Sequence, residues 1–195
     1  MNPNPDNSQD AHNHICPVSA VGSFDNMFRG LFHNPSRMFG QYVESGSTAV
    51  DLGAGGGVFS MALARMVGKA GRVYAVDIQQ GMLDLVEKRA IKEGLRERIT
   101  LHLASSEGIG LQAEVAEFAL ASWMVHEVPE QEKFFREVYD LMKPGGHFLI
   151  IEPKIHVSQK GFDAAVALAT GSGFVSLGKK RVALSFAELL QKPMA

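Results

Sequence analysis

One cysteine, Cys16, leaves no intramolecular disulfide to form, and a reducing, cytoplasmic setting is the expectation. No stretch reaches the roughly 18 consecutive apolar residues of a membrane-spanning helix. Met1 to His14 is polar and carries no apolar signal core. An excess of charge is also missing: Lys and Arg total 19 against 21 for Asp and Glu, a formal net charge of −2. Such a balance gives no electrostatic footprint for nucleic acid or an anionic membrane. Repeats and low-complexity tracts are lacking too. What remains is 195 residues, 46% hydrophobic and 21% charged, the material of one ordinary globular domain.

The informative stretch runs from Thr48 to Ser60. Thr48 to Leu52 is a short, β-branched apolar run suited to a buried parallel strand. Glycines follow at alternate positions, Gly53, Gly55 and Gly57, with Gly56 between the last two. Val58, Phe59, Ala62, Leu63, Met66 and Val67 then share one face of a helix. Strand, glycine turn and helix open a Rossmann-like βαβ unit in which a ligand meets bare backbone. A dinucleotide fingerprint would need a sixth-position glycine, and that position holds Val58 counted from Gly53 or Ser60 counted from Gly55. The pattern present is Asp-x-Gly-x-Gly-x-Gly. Asp51 at the strand's end would repel a pyrophosphate and suits a cationic or amine-bearing ligand.

The next strand, Arg72 to Asp77, also ends in an acid, placed where this topology lets a carboxylate take both ribose hydroxyls. Here the chain resembles the class I S-adenosylmethionine-dependent methyltransferases. The resemblance rests on Val50 to Gly57 as motif I, on Asp77 as the acid after it, and on the turn Leu141-Met142-Lys143-Pro144-Gly145-Gly146. It spans Thr48 to Pro153. It implies an α/β fold with a seven-stranded, mostly parallel sheet of order 3-2-1-4-5-7-6, strand 7 antiparallel and helices on both faces. It also implies in-line displacement of the sulfonium methyl by an acceptor nucleophile, with S-adenosylhomocysteine as product.

Around this core, residues 1–13 read as a disordered tail. Residues 14–46 read as a helical cap, with one helix behind Ser23 and a second opening at Asn34-Pro35 that carries Met38, Phe39, Tyr42 and Val43. Residues 47–195 form the methyltransferase domain. After Asp77, a helix bears Met82, Leu83, Val86 and Ala90 and stops at Gly94; strand 3 is Ile99 to Leu103. Gly108 and Gly110 break the following segment into loop, with at most one helical turn. Strand 4 is Phe118 to Ser122, and a helix with Phe134, Phe135, Val138 and Leu141 inward leads to strand 5, His147 to Ile151. A last crossover helix carries Phe162, Ala165 and Ala169. Phe174–Ser176 and Val182–Leu190 then have no helix between them and should pair antiparallel.

The resemblance assigns Gly53, Ala54, Gly55 and Gly57, beside Asp51, to the methionine end of the cofactor. It assigns Asp77 to ribose, Ile78 to adenine and the backbone of Ser122 to the sulfonium. Met82 joins that pocket or the core. Where relatives carry an adenine-binding Asp, this chain has Ala104-Ser105-Ser106-Glu107, so Ser105 and Ser106 stand in as candidates. His126 is the candidate catalytic residue, because neutral imidazole accepts a proton near neutral pH. A structural histidine is the competing reading. His156 and Lys154 follow strand 5 and reach toward the same end. His12, His14 and Cys16 offer metal-ligand types without a second cluster, and no metal module is expected. The expected partner is a small-molecule acceptor, not nucleic acid or membrane; monomer and homodimer both stay open. Two other functions also stay open: a non-catalytic S-adenosylmethionine-binding protein, and a NAD-dependent oxidoreductase.

Overall fold

Strands form where the short apolar runs lie. They are β1 (Thr48–Leu52), β2 (Arg72–Asp77), β3 (Ile99–Leu103), β4 (Ala116–Ser122), β5 (Met142–Pro153), β6 (Val175–Lys179) and β7 (Ser185–Gln191). In this computed structural model, which describes residues 34–194, they make one seven-stranded sheet of order β3-β2-β1-β4-β5-β7-β6. β1 to β5 are parallel, and β7 is antiparallel to both β5 and β6. The architecture implied by the resemblance is the one observed. The expected helix behind Ser23 and the residues His12, His14 and Cys16 lie outside the described residues.

Period-two alternation along each strand divides the core into two layers. On one face, Ala49, Val73, Phe118, Leu120 and Ile151 meet helices α1 (Pro35–Phe39), α2 (Val58–Met66) and α3 (Gln80–Lys92). On the other, Val50, Leu52, Ala119, Phe148 and Ile150 meet α4 (Gln131–Leu141) and α5 (Gln159–Gly171). The crossover from β3 to β4 has no helix. His102 Nε2 bonds Ile109 O at 2.7 Å, and Ile109 N donates to Glu137 Oε2 on α4 at 2.7 Å, so side chains rather than a helix close that loop down.

Several element ends differ from expectation: β4 starts at Ala116, β5 runs on to Pro153, β6 is Val175–Lys179 and β7 is Ser185–Gln191, and two further differences have a clear physical reason. The helix opened by Asn34, whose side chain accepts from Arg37 N at 3.3 Å, stops at Phe39 instead of running to Val43. Gly40 is a poor helix former. A 3₁₀ turn over Gly40–Tyr42 then lets the fully buried Phe39 stand against Phe118 and Phe59, at ring separations of 5.5 and 6.1 Å. Strand 5 begins at Met142 rather than His147. The Pro144-Gly145 turn is present, with Gly145 at φ +78°, but it forms a bulge within the strand: Ala116 faces Met142 while Phe118 faces His147. Backbone bonds from Gly145 N to Lys192 O (2.9 Å) and from Lys192 N to Gly146 O (3.0 Å) hold it to the sheet.

Phe39 carries the attachment of α1 to this sheet. Phe39→Ala should cost about 3–5 kcal/mol of unfolding free energy in urea titration. A cost below about 1 kcal/mol would show that α1 does not contribute to the core.

Candidate cofactor and acceptor site

The carboxyl ends of β1, β2 and β4 open at the point where strand order reverses, the usual ligand crevice of an open parallel sheet. The chain leaves β1 through Gly53 (φ +67°), Gly55 (φ +51°) and Gly57 (φ +76°), left-handed conformations that favour glycine. Two of these positions are constrained differently. A Cβ on Gly53 would lie 2.8 Å from Met124 Cγ, so the loop after β1 touches the loop after β4. A Cβ on Gly55 would meet no atom of the described residues within 4 Å, so nothing among them covers the bare backbone there.

Two acids hold this loop. Asp51 is only 2% exposed, and its Oδ2 accepts from Ser60 Oγ, at the start of α2, at 2.5 Å. It braces the glycine turn from beneath. Asp77, 8% exposed, accepts from Gly55 N at 3.0 Å and from Gln79 N at 2.9 Å through its two oxygens. Burial pushes its carboxyl above the ordinary range, against the downward pull of the Gln79, Gly55 and Ile78 N–H groups. Both acids thus have structural partners of the capping kind, and Asp77 also ends in the crevice.

Beside Asp77, Ile78 exposes half of its surface, and so does Leu103 at the end of β3. Two apolar side chains left in water at neighbouring strand ends suit the faces of a planar ring. Leu103 went unassigned in the sequence; its only signal was being the last residue of an apolar strand. Ala104 N bonds Asp77 O at 3.0 Å, which brings the Ser105–Ser106 loop to the same place. Ser105 Oγ accepts from Glu107 N at 3.1 Å, and both serines are exposed. Ala54 is buried, with its N–H on Val76 O at 2.9 Å. Met82 is buried on α3, at 3% exposure. Gly53, Gly55, Asp77, Ile78, Ser105 and Ser106 thus lie together at the carboxyl ends of β1, β2 and β3, whereas Gly57 packs against Val86 of α3 and the side chains of Asp51 and Met82 are buried.

The second half of the site follows β4. Ser122 is buried at the strand's end, and Trp123 then adopts φ +59°, uncommon for a bulky residue, with its indole N–H on Ser185 Oγ at 3.0 Å. This kink throws Val125–Glu127 into a 3₁₀ turn. Val125 N donates to Glu152 Oε1 at 3.0 Å, and His126 Nδ1 meets Glu152 Oε2. The His126 side chain is 24% exposed, and its ring stands edge-on to that of His156 at 5.7 Å. The hydrogen bond that Glu152 accepts raises the His126 pKa above its ordinary value; burial opposes this, and the charges of Glu152 and Glu127 reinforce it. Glu152 is not among the residues to which the sequence points; its one signal is a charge placed directly after the apolar run Phe148 to Ile151.

The methyltransferase domain family matches residues 50–150, more than half of the chain, and the chain belongs to that family. Among curated proteins, the ubiquinone/menaquinone biosynthesis C-methyltransferase UbiE of Escherichia fergusonii is 30% identical over 125 residues, 63% of this chain and 50% of its own length. The chain thus spans about half the length of the curated relatives it matches. A solved S-adenosylmethionine-dependent methyltransferase from Aquifex aeolicus superposes with a TM-score of 0.81 at 23% identity, over 91% of this chain and all of the other. The [4+2]-cyclase SpnF superposes at 0.70 with 14% identity, over 87% of this chain and 82% of its own. These two likenesses speak for the fold. The fold is that of the class I, Rossmann-like methyltransferases, and S-adenosylmethionine is the cofactor that this family implies.

The residues present fit that cofactor: an open glycine backbone, a carboxylate for hydroxyl donors and an apolar pair for a ring. Asp77→Ala should therefore lower the affinity for S-adenosylhomocysteine by on the order of 2–4 kcal/mol, roughly 30- to 1,000-fold. Calorimetry beside a ligand-free melt checks this; unchanged affinity in a folded variant would place the ribose elsewhere.

Proposed function

We propose that this chain methylates a small hydroxylated aromatic acceptor at carbon, with His126 as the base. The observation that carries the reading is the contact between Gly53 and Met124, which sets the cofactor loop directly against the turn that presents His126. When bound, S-adenosylmethionine supplies a methyl already activated on a sulfonium. The protein's own residues then bind, orient, exclude water and move a proton.

Asp77 accepts from the ribose hydroxyls, Ile78 and Leu103 flank the adenine, and the open backbone at Gly55 allows close approach. Across the Gly53–Met124 contact, His126 Nε2 takes the acceptor's hydroxyl proton. The electron pair left behind is delocalised onto the ring carbon that becomes the nucleophile; once methylated, that carbon sheds its own hydrogen as a proton to solvent, which restores the aromatic ring. A neutral hydroxylated ring is a poor nucleophile until it is deprotonated, so a paired imidazole beside the crevice answers a need of that chemistry. The name of the UbiE relatives, C-methyltransferases of ubiquinone/menaquinone biosynthesis, points to the same acceptor class.

Calorimetry with S-adenosylmethionine and with NAD tests the cofactor half; NAD binding of equal or greater strength would overturn it. For the acceptor half, methyl transfer to naphthohydroquinone should give a ring-methylated product by mass spectrometry. Since the base acts as neutral imidazole, kcat/KM should rise with pH through a midpoint above the ordinary histidine value of about 6.5. His126→Ala should lower it by about 10²–10⁴-fold. A pH-independent rate, or full activity in the alanine variant, would remove His126 from catalysis.

A further inference from the structure

We propose that Glu152 is the positioning residue that sets the tautomer of His126, keeping the hydrogen on Nδ1 so that Nε2 is the basic nitrogen offered to the acceptor. The proposal rests on the reading of His126 as base, and its geometric part stands without it. Glu152 lies near the carboxyl end of β5, paired in register with Phe186 of β7, and is 1% exposed. A charge buried that deeply is tolerated only when its oxygens are satisfied. Both are: Oε1 accepts from the backbone N–H of Val125 at 3.0 Å, and Oε2 meets His126 Nδ1.

An ionised carboxylate only accepts hydrogen bonds, so the facing Nδ1 carries the hydrogen and the lone pair of a neutral ring lies on Nε2. The Val125 N–H cannot be turned, because it belongs to the main chain of the 3₁₀ turn. It fixes one oxygen of Glu152 and thereby the other. Gln131 Nε2 holds the far side of the same peptide run, on Val125 O at 2.9 Å. Among the described residues, the other titratable groups facing the ring are Glu127 on its own turn and His156 from the segment after β5.

A purely architectural role would not need the charge. Glutamine in this place could accept from Val125 N–H with its carbonyl oxygen and bury no ion. It would then present its NH₂ to His126, and a donor facing Nδ1 forces the hydrogen to Nε2. The basic nitrogen would point into the protein, and the side facing the acceptor would be a donor. A carboxylate alone serves both neighbours as acceptor, and it also stabilises the imidazolium formed when Nε2 takes the acceptor's proton.

Glu152→Gln separates these roles. Nitrogen NMR of histidine-labelled, cofactor-free protein should show wild-type His126 with its hydrogen on Nδ1 when neutral. In the variant the hydrogen should move to Nε2 and the titration midpoint should fall. With naphthohydroquinone as acceptor, kcat/KM should drop by about 10²–10⁴-fold. The calorimetric affinity for S-adenosylhomocysteine should stay within about twofold, because Glu152 does not line the cofactor crevice. A wild-type neutral ring with its hydrogen on Nε2 overturns the proposal, and this reading holds even where the variant fails to fold. An unmoved tautomer in a folded variant overturns it as well. A moved tautomer with undiminished turnover upholds the positioning by Glu152 and overturns His126 as base.

Discussion

Met124 rests where a side chain on Gly53 would have to be, and much of the molecule's geometry serves that contact. It requires β1 and β4 to be neighbours although β2 and β3 intervene in sequence, which is the reversal of strand order. It also requires the left-handed turn at Gly53 and the kink at Trp123, φ +59°, so that two loops leaving adjacent strands converge instead of diverging. Any residue larger than glycine at position 53 would combine an unfavourable φ with a clash against Met124. The glycine loop after β1 and the turn after β4 are thereby set at a fixed distance by hard contact.

Three buried acids then hold the loops in place. Asp51, Asp77 and Glu152 end or nearly end β1, β2 and β5, and each is under a tenth exposed. Each is bonded to a group that starts a helix or turn: Ser60 of α2, Gln79 ahead of α3, and Val125 of the 3₁₀ turn. Burying charge is costly, and such bonds to N–H and O–H groups offset the cost. The same economy places negative charge where hydroxyl donors and an imidazolium can be received.

Legibility in the sequence followed the range of the interaction. The strands, their alternation and the glycine turn are local, and short apolar runs with punctuating glycines made them readable. The sheet order is not local; it followed from the resemblance carried by Asp51, the glycines and Asp77, and the observed pairing agrees. The bulge at Pro144-Gly145 could not be read, because its partner is Lys192, beyond β7. The pairing of His126 with Glu152 likewise spans 26 residues and depends on β4 and β5 being in register, Ser122 beside Ile151. Leu103 looked like one more strand residue, since only the solid structure shows that half of it remains in water.

The central claim is that one crevice, at the reversal of strand order, holds the cofactor against the His126 turn. Backbone amide NMR of the protein titrated with S-adenosylhomocysteine tests it most directly. The account predicts the largest shift changes at Gly53, Gly55, Ile78 and Ser105, smaller ones at Met124 and Val125, and none along β6. Changes centred on β6 and β7, with the glycine loop unmoved, would contradict it.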